Sequence, residues 1–196
     1  MKKVTGLVLI ILMAFIAVPA SSQVKFGVKG GINISSVHLN SKVFQSDNVT
    51  GFQVGPMIET TLPLIGVGLD AAILYSQKGM DMKAKGEEKS TSIKTDYLDV
   101  PVNLKWKIGL PIAKIYFAAG PYIGFRVGGD KIWNVLGEQI EAKNFSAGLN
   151  FGVGAELISH LQVGLNYGLG LTENYSVGKD LKAKNRGWSI TAAILF

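Results

Sequence analysis

From Gly187 to Phe196 the chain alternates. Trp188, Ile190, Ala192, Ile194 and Phe196 fall on one face, and Ser189, Thr191 and Ala193 on the other. Side chains of a β-strand point to opposite faces with a period of two, so this stretch predicts a strand between two different surroundings. Seven earlier stretches repeat the pattern. The first sets Phe26, Val28, Ile32 and Ile34 against Lys25, Lys29 and Asn33. The second sets Phe52, Val54 and Ile58 against Gln53 and Glu59. The third sets Ile65, Val67, Leu69, Ala71, Ile73 and Tyr75 against Asp70 and Ser76. The fourth sets Leu98, Val100, Val102, Leu104 and Trp106 against Asp99, Asn103, Lys105 and Lys107. The fifth places Ile115, Phe117, Ala119, Ile123 and Phe125 opposite Tyr116, Tyr122 and Arg126. The sixth places Phe145, Leu149, Phe151 and Val153 opposite Ser146, Asn150 and Glu156, and the seventh Leu161, Val163, Leu165, Tyr167 and Leu169 opposite Gln162 and Asn166.

Between these strands the connections alternate in length. Ser35 to Thr50, Lys78 to Lys94, Gly128 to Asn144 and Glu173 to Asn185 are long and polar. Thr61-Leu62-Pro63, Gly109-Leu110-Pro111 and Ile158-Ser159-His160 are tight turns. An even number of strands with alternating long and short connections is the pattern of an antiparallel up-and-down barrel whose two ends face different compartments. Three details separate a membrane barrel from a soluble lipocalin-like carrier, which is polar outside. The apolar face of all eight stretches carries no Asp, Glu, Lys or Arg, as a face in hydrocarbon requires. The polar face is crowded with glycine, including Gly120, Gly148, Gly152, Gly154, Gly164 and Gly168, which a narrow lumen needs and a solvated sheet surface does not. Aromatic residues of the apolar face gather near the strand ends as two girdles. Phe52, Tyr75, Phe125, Phe145 and Trp188 lie toward the long loops, and Phe26, Trp106 and Phe196 toward the short turns. The fold class is therefore all-β, an eight-stranded antiparallel up-and-down transmembrane β-barrel.

Composition agrees with one exported domain. The 196 residues are 47% hydrophobic, 17% charged and include 24 glycines, which excludes a disordered chain. Lys2-Lys3, the apolar run Leu7 to Val18 and the small residues Pro19-Ala20-Ser21-Ser22 form a secretory signal peptide, residues 1–22, ahead of a barrel domain of residues 23–196. The formal charge of +6 falls to +4 without the two leader lysines, too mild and too interrupted by carboxylates for a nucleic-acid partner. There is no cysteine, hence no disulfide, thiol nucleophile or cysteine metal site. Neither a cofactor nor a metal spacing is indicated.

Tyr75-Ser76-Gln77-Lys78-Gly79, Tyr97-Leu98-Asp99-Val100-Pro101-Val102-Asn103-Leu104-Lys105 and Gly120-Pro121-Tyr122-Ile123-Gly124-Phe125 resemble the recurrent strand motifs of PorT-like proteins. These form an outer-membrane β-barrel-domain family, similar in architecture to the small OmpA- and OmpX-type barrels. The resemblance runs in order along the mature chain and implies the cell outer membrane as its location. It implies no catalytic or ligand-binding residue.

The inward face holds Lys25, Lys29, Lys105, Lys107, Lys114 and Arg126 with Glu59, Asp70, Asp99 and Glu156. In so narrow a barrel this set is expected to pair into a plug and not to line a diffusion pore. His38, beside Ser35 and Ser36 in the first long loop, is the one histidine placed like that of a barrel-embedded lipid A deacylase or acyltransferase. No acid to orient it is visible, and a nucleophile needs such a relay, so the reading is non-enzymatic. Pro56, Pro101 and Pro121 interrupt strands of an edgeless sheet, where bulges are expected. The expected role is structural or interactive. The long loops, Lys78 to Lys94 among them, are available to a surface or envelope partner, and the barrel wall meets outer-membrane lipid. Phe196 resembles the terminal aromatic signal read by the outer-membrane insertion machinery.

Overall fold

Alternation in sequence becomes a closed wall. The computed structural model describes residues 23–38, 44–47, 49–62, 65–84, 90–110, 112–129, 132–135, 138–172, 175–177 and 181–196; the expected leader, residues 1–22, lies outside them. Its strands are β1 (Gln23–His38), β2 (Phe44–Asp47), β3 (Val49–Thr61), β4 (Val67–Ala72), β5 (Leu74–Ala84), β6 (Ser90–Leu110) and β7 (Ala113–Gly128). They continue with β8 (Ile132–Val135), β9 (Glu138–Ala142), β10 (Phe145–Leu157), β11 (Leu161–Gly170), β12 (Tyr175–Val177) and β13 (Leu181–Leu195). Neighbouring strands of the wall pair antiparallel throughout. The wall runs β1, β3, β4 with β5, β6, β7, β10, β11 and β13, and β13 returns to β1. β4 and β5 keep one register against β3 and β6, so they form a single wall strand and the barrel has eight.

Tracing cross-strand partners once around the wall fixes its geometry. Val24 leads to Thr60, Leu69, Leu104, Ala119, Phe151, Tyr167, Trp188 and back to β1 at Ile34, ten residues further on. A stagger of that size in eight strands tilts them about 40° from the barrel axis. The lumen then has room for side chains and little else.

The apolar face points outward. Phe26, Ile32, Leu104, Trp106, Phe151, Ile190 and Ile194 are exposed, the inverse of a soluble carrier. Tilted aromatic pairs, Phe52–Tyr75 at 5.8 Å, Phe125–Phe145 at 5.6 Å and Tyr167–Trp188 at 4.9 Å between ring centroids, mark the rim nearer the long connections. Phe26, Trp106, Phe117 and Phe196 mark the opposite rim.

Several sequence expectations change here. The three prolines stay in register: Pro56 faces Val28, Pro101 faces Tyr122 and Pro121 faces Leu149. A proline lacks only its own donor, and the Pro56 carbonyl still accepts from the Ile73 amide at 3.0 Å, so the strand loses a bond without gaining a residue. The register shift falls instead between Asp96 and Tyr97. The long connections are not simple loops. β5 runs on to Ala84, β6 begins at Ser90, and β8, β9 and β12 extend the sheet beside β13. Lys78, assigned by sequence to a solvated loop, is a buried residue of β5. His38 ends β1, in register with Lys184, and is not in a loop.

The depth of the apolar band gives a measurable gradient. Phe151→Arg, at mid-height of the wall, should destabilise the folded barrel in lipid vesicles by about 2–4 kcal/mol, and Val24→Arg, at the rim, by about 0–1 kcal/mol. Urea unfolding from vesicles measures both; equal costs would contradict this placement of the band.

Candidate functional site

The interior is shaped first by glycine and tyrosine. On β7, Tyr116 faces Gly154 and Tyr122 faces Gly148 across the ladder to β10. A Cβ at Gly154 would lie 2.5 Å from the Tyr116 ring, and one at Gly148 would lie 2.5 Å from the Tyr122 ring. The two rings therefore lie flat over glycine, and their upper faces are offered to the lumen. Lys105 Nζ sits 4.7 Å from the Tyr116 centroid. Lys78 Nζ sits 5.0 Å from Tyr122 and 5.1 Å from Tyr97. A cation over a ring face is favourable, more so when both are desolvated.

Around Lys105 the lower half of the lumen is filled by a continuous ion cluster. Lys105 Nζ donates to Glu59 Oε2 at 2.7 Å and to Gln162 Oε1 at 3.0 Å, and lies 2.7 Å from Asp70 Oδ2. Lys107 bridges Glu59 and Glu156. The Gln162 amide donates to both of those carboxylates at 2.8 Å. Asn103 donates to Asp70 Oδ1 at 2.6 Å, Lys29 approaches Asp70 Oδ2 at 3.6 Å, and Lys114 approaches Glu156 at 3.3 Å. Lys25 donates to the Ser159 carbonyl at 2.6 Å, in the tight turn below. The side chains of Glu59, Glu156 and Lys105 are no more than 2% exposed. Charges removed from water this completely persist only when each is paired and hydrogen-bonded, and here Glu59 and Glu156 each have two or more donors, while Asp70 takes one from Asn103 and ion contacts from Lys105 and Lys29.

Nearer the long connections stands a second, smaller group. Lys78 Nζ contacts Asp99 Oδ1 at 2.9 Å and Oδ2 at 2.7 Å. Asn33 donates to Ser76 Oγ at 3.1 Å, and Tyr97 donates its hydroxyl hydrogen to the Lys143 carbonyl at 3.0 Å. Between the two groups lie adjoining cavities of about 90 and 60 Å³, both lined by Asn150, Asn166 and Ser189. They are far smaller than the roughly 300–1,000 Å³ of ordinary ligand pockets. Asn103 Oδ1, buried and without a protein partner, belongs to a residue lining the smaller one, which suits an ordered water.

Lys25, Lys29, Glu59, Asp70, Lys105 and Glu156 thus come together in the lower cluster. Asp99 belongs to the separate upper pair. Arg126 joins neither: its guanidinium donates to Asn144 Oδ1 at 3.1 and 3.2 Å and to the Gly129 carbonyl at 3.2 Å, in an exposed position at the mouth. Phe196 closes the ladder to Phe26 through backbone bonds of 2.8 and 3.2 Å. Sequence reasoning missed the Gln162 amide that joins two carboxylates, and it missed Lys78. It also missed the apolar interior cluster of Met57, Ala72, Leu74, Ala193 and Leu195. Gln162 sits visibly on the polar face of its strand; what it touches depends on register. Among the described residues no group of three or more His, Asp or Glu side chains converges to hold a metal.

Known proteins share this architecture. The family described as outer membrane protein beta-barrel domain matches residues 19–176. Among solved structures, the chain is similar to the outer membrane protein OprG from Pseudomonas aeruginosa. Identity is 13%, coverage 88% of this chain and 95% of that one, and the TM-score 0.53. It is also similar to Neisserial surface protein A (NspA), at 14% identity, 87% and 97% coverage and a TM-score of 0.51. Identities this low make both a likeness of fold. No curated protein matches by sequence.

Lys107 holds two buried carboxylates at once, so Lys107→Met should lower stability in vesicles by about 3–5 kcal/mol. The partly solvated Lys114, changed to Met, should cost under about 1 kcal/mol. Urea unfolding of both variants checks this, and a silent Lys107→Met would show that the cluster does not hold the barrel.

Proposed function

We propose that this chain, which belongs to the outer membrane protein β-barrel domain family, is a plugged outer-membrane scaffold that presents extended β-structure to a partner at the cell surface. The observation that carries the reading is a contrast between the two ends of the wall strands. At one end they are joined by tight turns. At the other, β5, β6 and β13 run past the aromatic rim, and β2, β8, β9 and β12 pair beside them. Antiparallel structure beyond the hydrocarbon band adds nothing to spanning the bilayer, and segments projecting from a rigid scaffold are where binding residues are commonly placed. The filled lumen supports an interactive role over general diffusion. Short turns face the periplasm in barrels of this kind, so the projecting end is extracellular. The finer kinship with PorT-like proteins, suggested by the motifs around Tyr75, Tyr97 and Tyr122, is part of the same proposal; so is export by the leader.

Photo-crosslinkers placed in the β5–β6 hairpin and in β9 of intact cells should capture a defined envelope or surface partner. Replacing residues 79–93 with an Asn-Gly turn should abolish that capture while the barrel remains heat-modifiable in the outer membrane. Capture confined to the periplasmic turns would overturn the surface reading.

A further inference from the structure

The tight turns carry apolar side chains beyond the lipid-facing band. Leu110, Ile112 and Ile158 are 73%, 74% and 73% exposed, and Ile65 is 59% exposed. Backbone bonds link the turns side by side: the Gly66 carbonyl accepts from the Lys107 amide, and the Ile112 carbonyl from the Ile158 amide, both at 2.8 Å. The tips therefore form one arc along the β4, β6, β7, β10 and β11 side of the rim. On the remaining strands the outward side chains nearest this end, Val24 of β1 and Phe196 after β13, are exposed as well, at 49% and 71%.

The arc is held at a cost in backbone conformation. Ile158 and Ser159 have φ of 53° and 59°, a left-handed region that a β-branched residue avoids and that Asn or Gly accepts readily. Neighbours on both sides fix the turn. The Ser159 carbonyl accepts from Lys25 Nζ at 2.6 Å, the His160 amide donates to Leu157 O at 3.1 Å, and the His160 carbonyl accepts from the Leu195 amide at 2.7 Å. A turn built only to reverse the chain gains nothing from isoleucine there. The side chain itself is what the position supplies.

The patch is continuous with the lipid-facing wall. Leu104, Trp106, Ile108 and Leu110 share the outward face of β6, and all are exposed. Leu110 lies four residues beyond the rim residue Trp106. At ~3.3 Å per residue and a tilt near 40°, that is about 10 Å closer to the periplasm. We propose that these turn tips are sunk into the inner leaflet, among the glycerol and upper acyl groups of phospholipid. The proposal rests on the outer-membrane placement and is independent of any surface partner. An unbroken apolar strip from the bilayer wall to the turn tips fits lipid, since a patch for a periplasmic protein would need no connection to the band.

The chain has no cysteine, so single-cysteine labels are unambiguous. The barrel, residues 23–196, carrying Ile112→Cys, Ile158→Cys or, as an aqueous reference at the exposed opposite mouth, Asn144→Cys, each labelled with a fluorophore, would be placed in nanodiscs of phosphatidylethanolamine and phosphatidylglycerol. Quenching by lipid-borne nitroxide is then compared with quenching by aqueous iodide. The Ile112 and Ile158 sites should be several-fold more sensitive to the lipid quencher than the Asn144 site, and several-fold less sensitive to iodide. Ile158→Asn, which suits the backbone, should keep the barrel folded and reduce lipid quenching at the Ile112 site. Equal quenching at the three sites, or iodide access at Ile112 and Ile158, would overturn the proposal and leave the tips free for a periplasmic protein.

Discussion

A β-sheet in hydrocarbon has no water to satisfy its edges, so every backbone donor and acceptor must find a partner within the sheet. The pairing of β1 with β13, from Gly27 with Leu195 to His38 with Lys184, meets that demand and governs the interior as well. Closing eight strands with a stagger of ten residues leaves a lumen too narrow for a second layer of structure. Side chains must fill it. Large residues on one strand then require their absence on the next, which is why Tyr116 and Tyr122 stand opposite Gly154 and Gly148.

The same closure explains why the interior ions cluster. Inward positions of β3, β4, β6, β10 and β11 at one height bring Glu59, Asp70, Lys105, Lys107, Glu156 and Gln162 within bonding distance. Their strands are fixed by the wall, so these charges are positioned at little further entropic cost. That pre-organisation offsets part of the desolvation that makes buried ion pairs only marginally favourable. Lys105 and Lys78 each gain a tyrosine face in addition. The cluster seals the half nearer the tight turns, while the rest of the lumen keeps two small cavities.

Period-two alternation made the eight wall strands and their lipid face legible, because the two sides of a membrane barrel differ so sharply in polarity. Lys78 was not legible. A lysine between Gln77 and Gly79 reads alike in a solvated loop and in a strand, and the Asp99 carboxylate and two tyrosine faces help to make its burial tolerable. The interior cluster around Met57 and Leu195 depends on which residues face one another across Gly27, which pairs with both, and Gln162 on the ladder that sets it opposite Glu156. Register belongs to the closed wall and not to any one strand. The prolines misled for a related reason: losing one donor is a local matter, and flanking pairs held the ladder in step. Arg126 shows the limit of alternation, which assigns a face but not a height along the axis.

A plug of paired charges inside a closed wall has one physical consequence above all, that the lumen does not conduct. Ion conductance of the purified barrel, residues 23–196, in planar lipid bilayers tests it directly. Insertion without resolvable steps of open-channel current, across both signs of voltage, is the expected result. Stable, long-lived conducting steps from the unmodified protein would contradict it, because current would have to pass where Glu59, Lys107 and Glu156 stand bonded together.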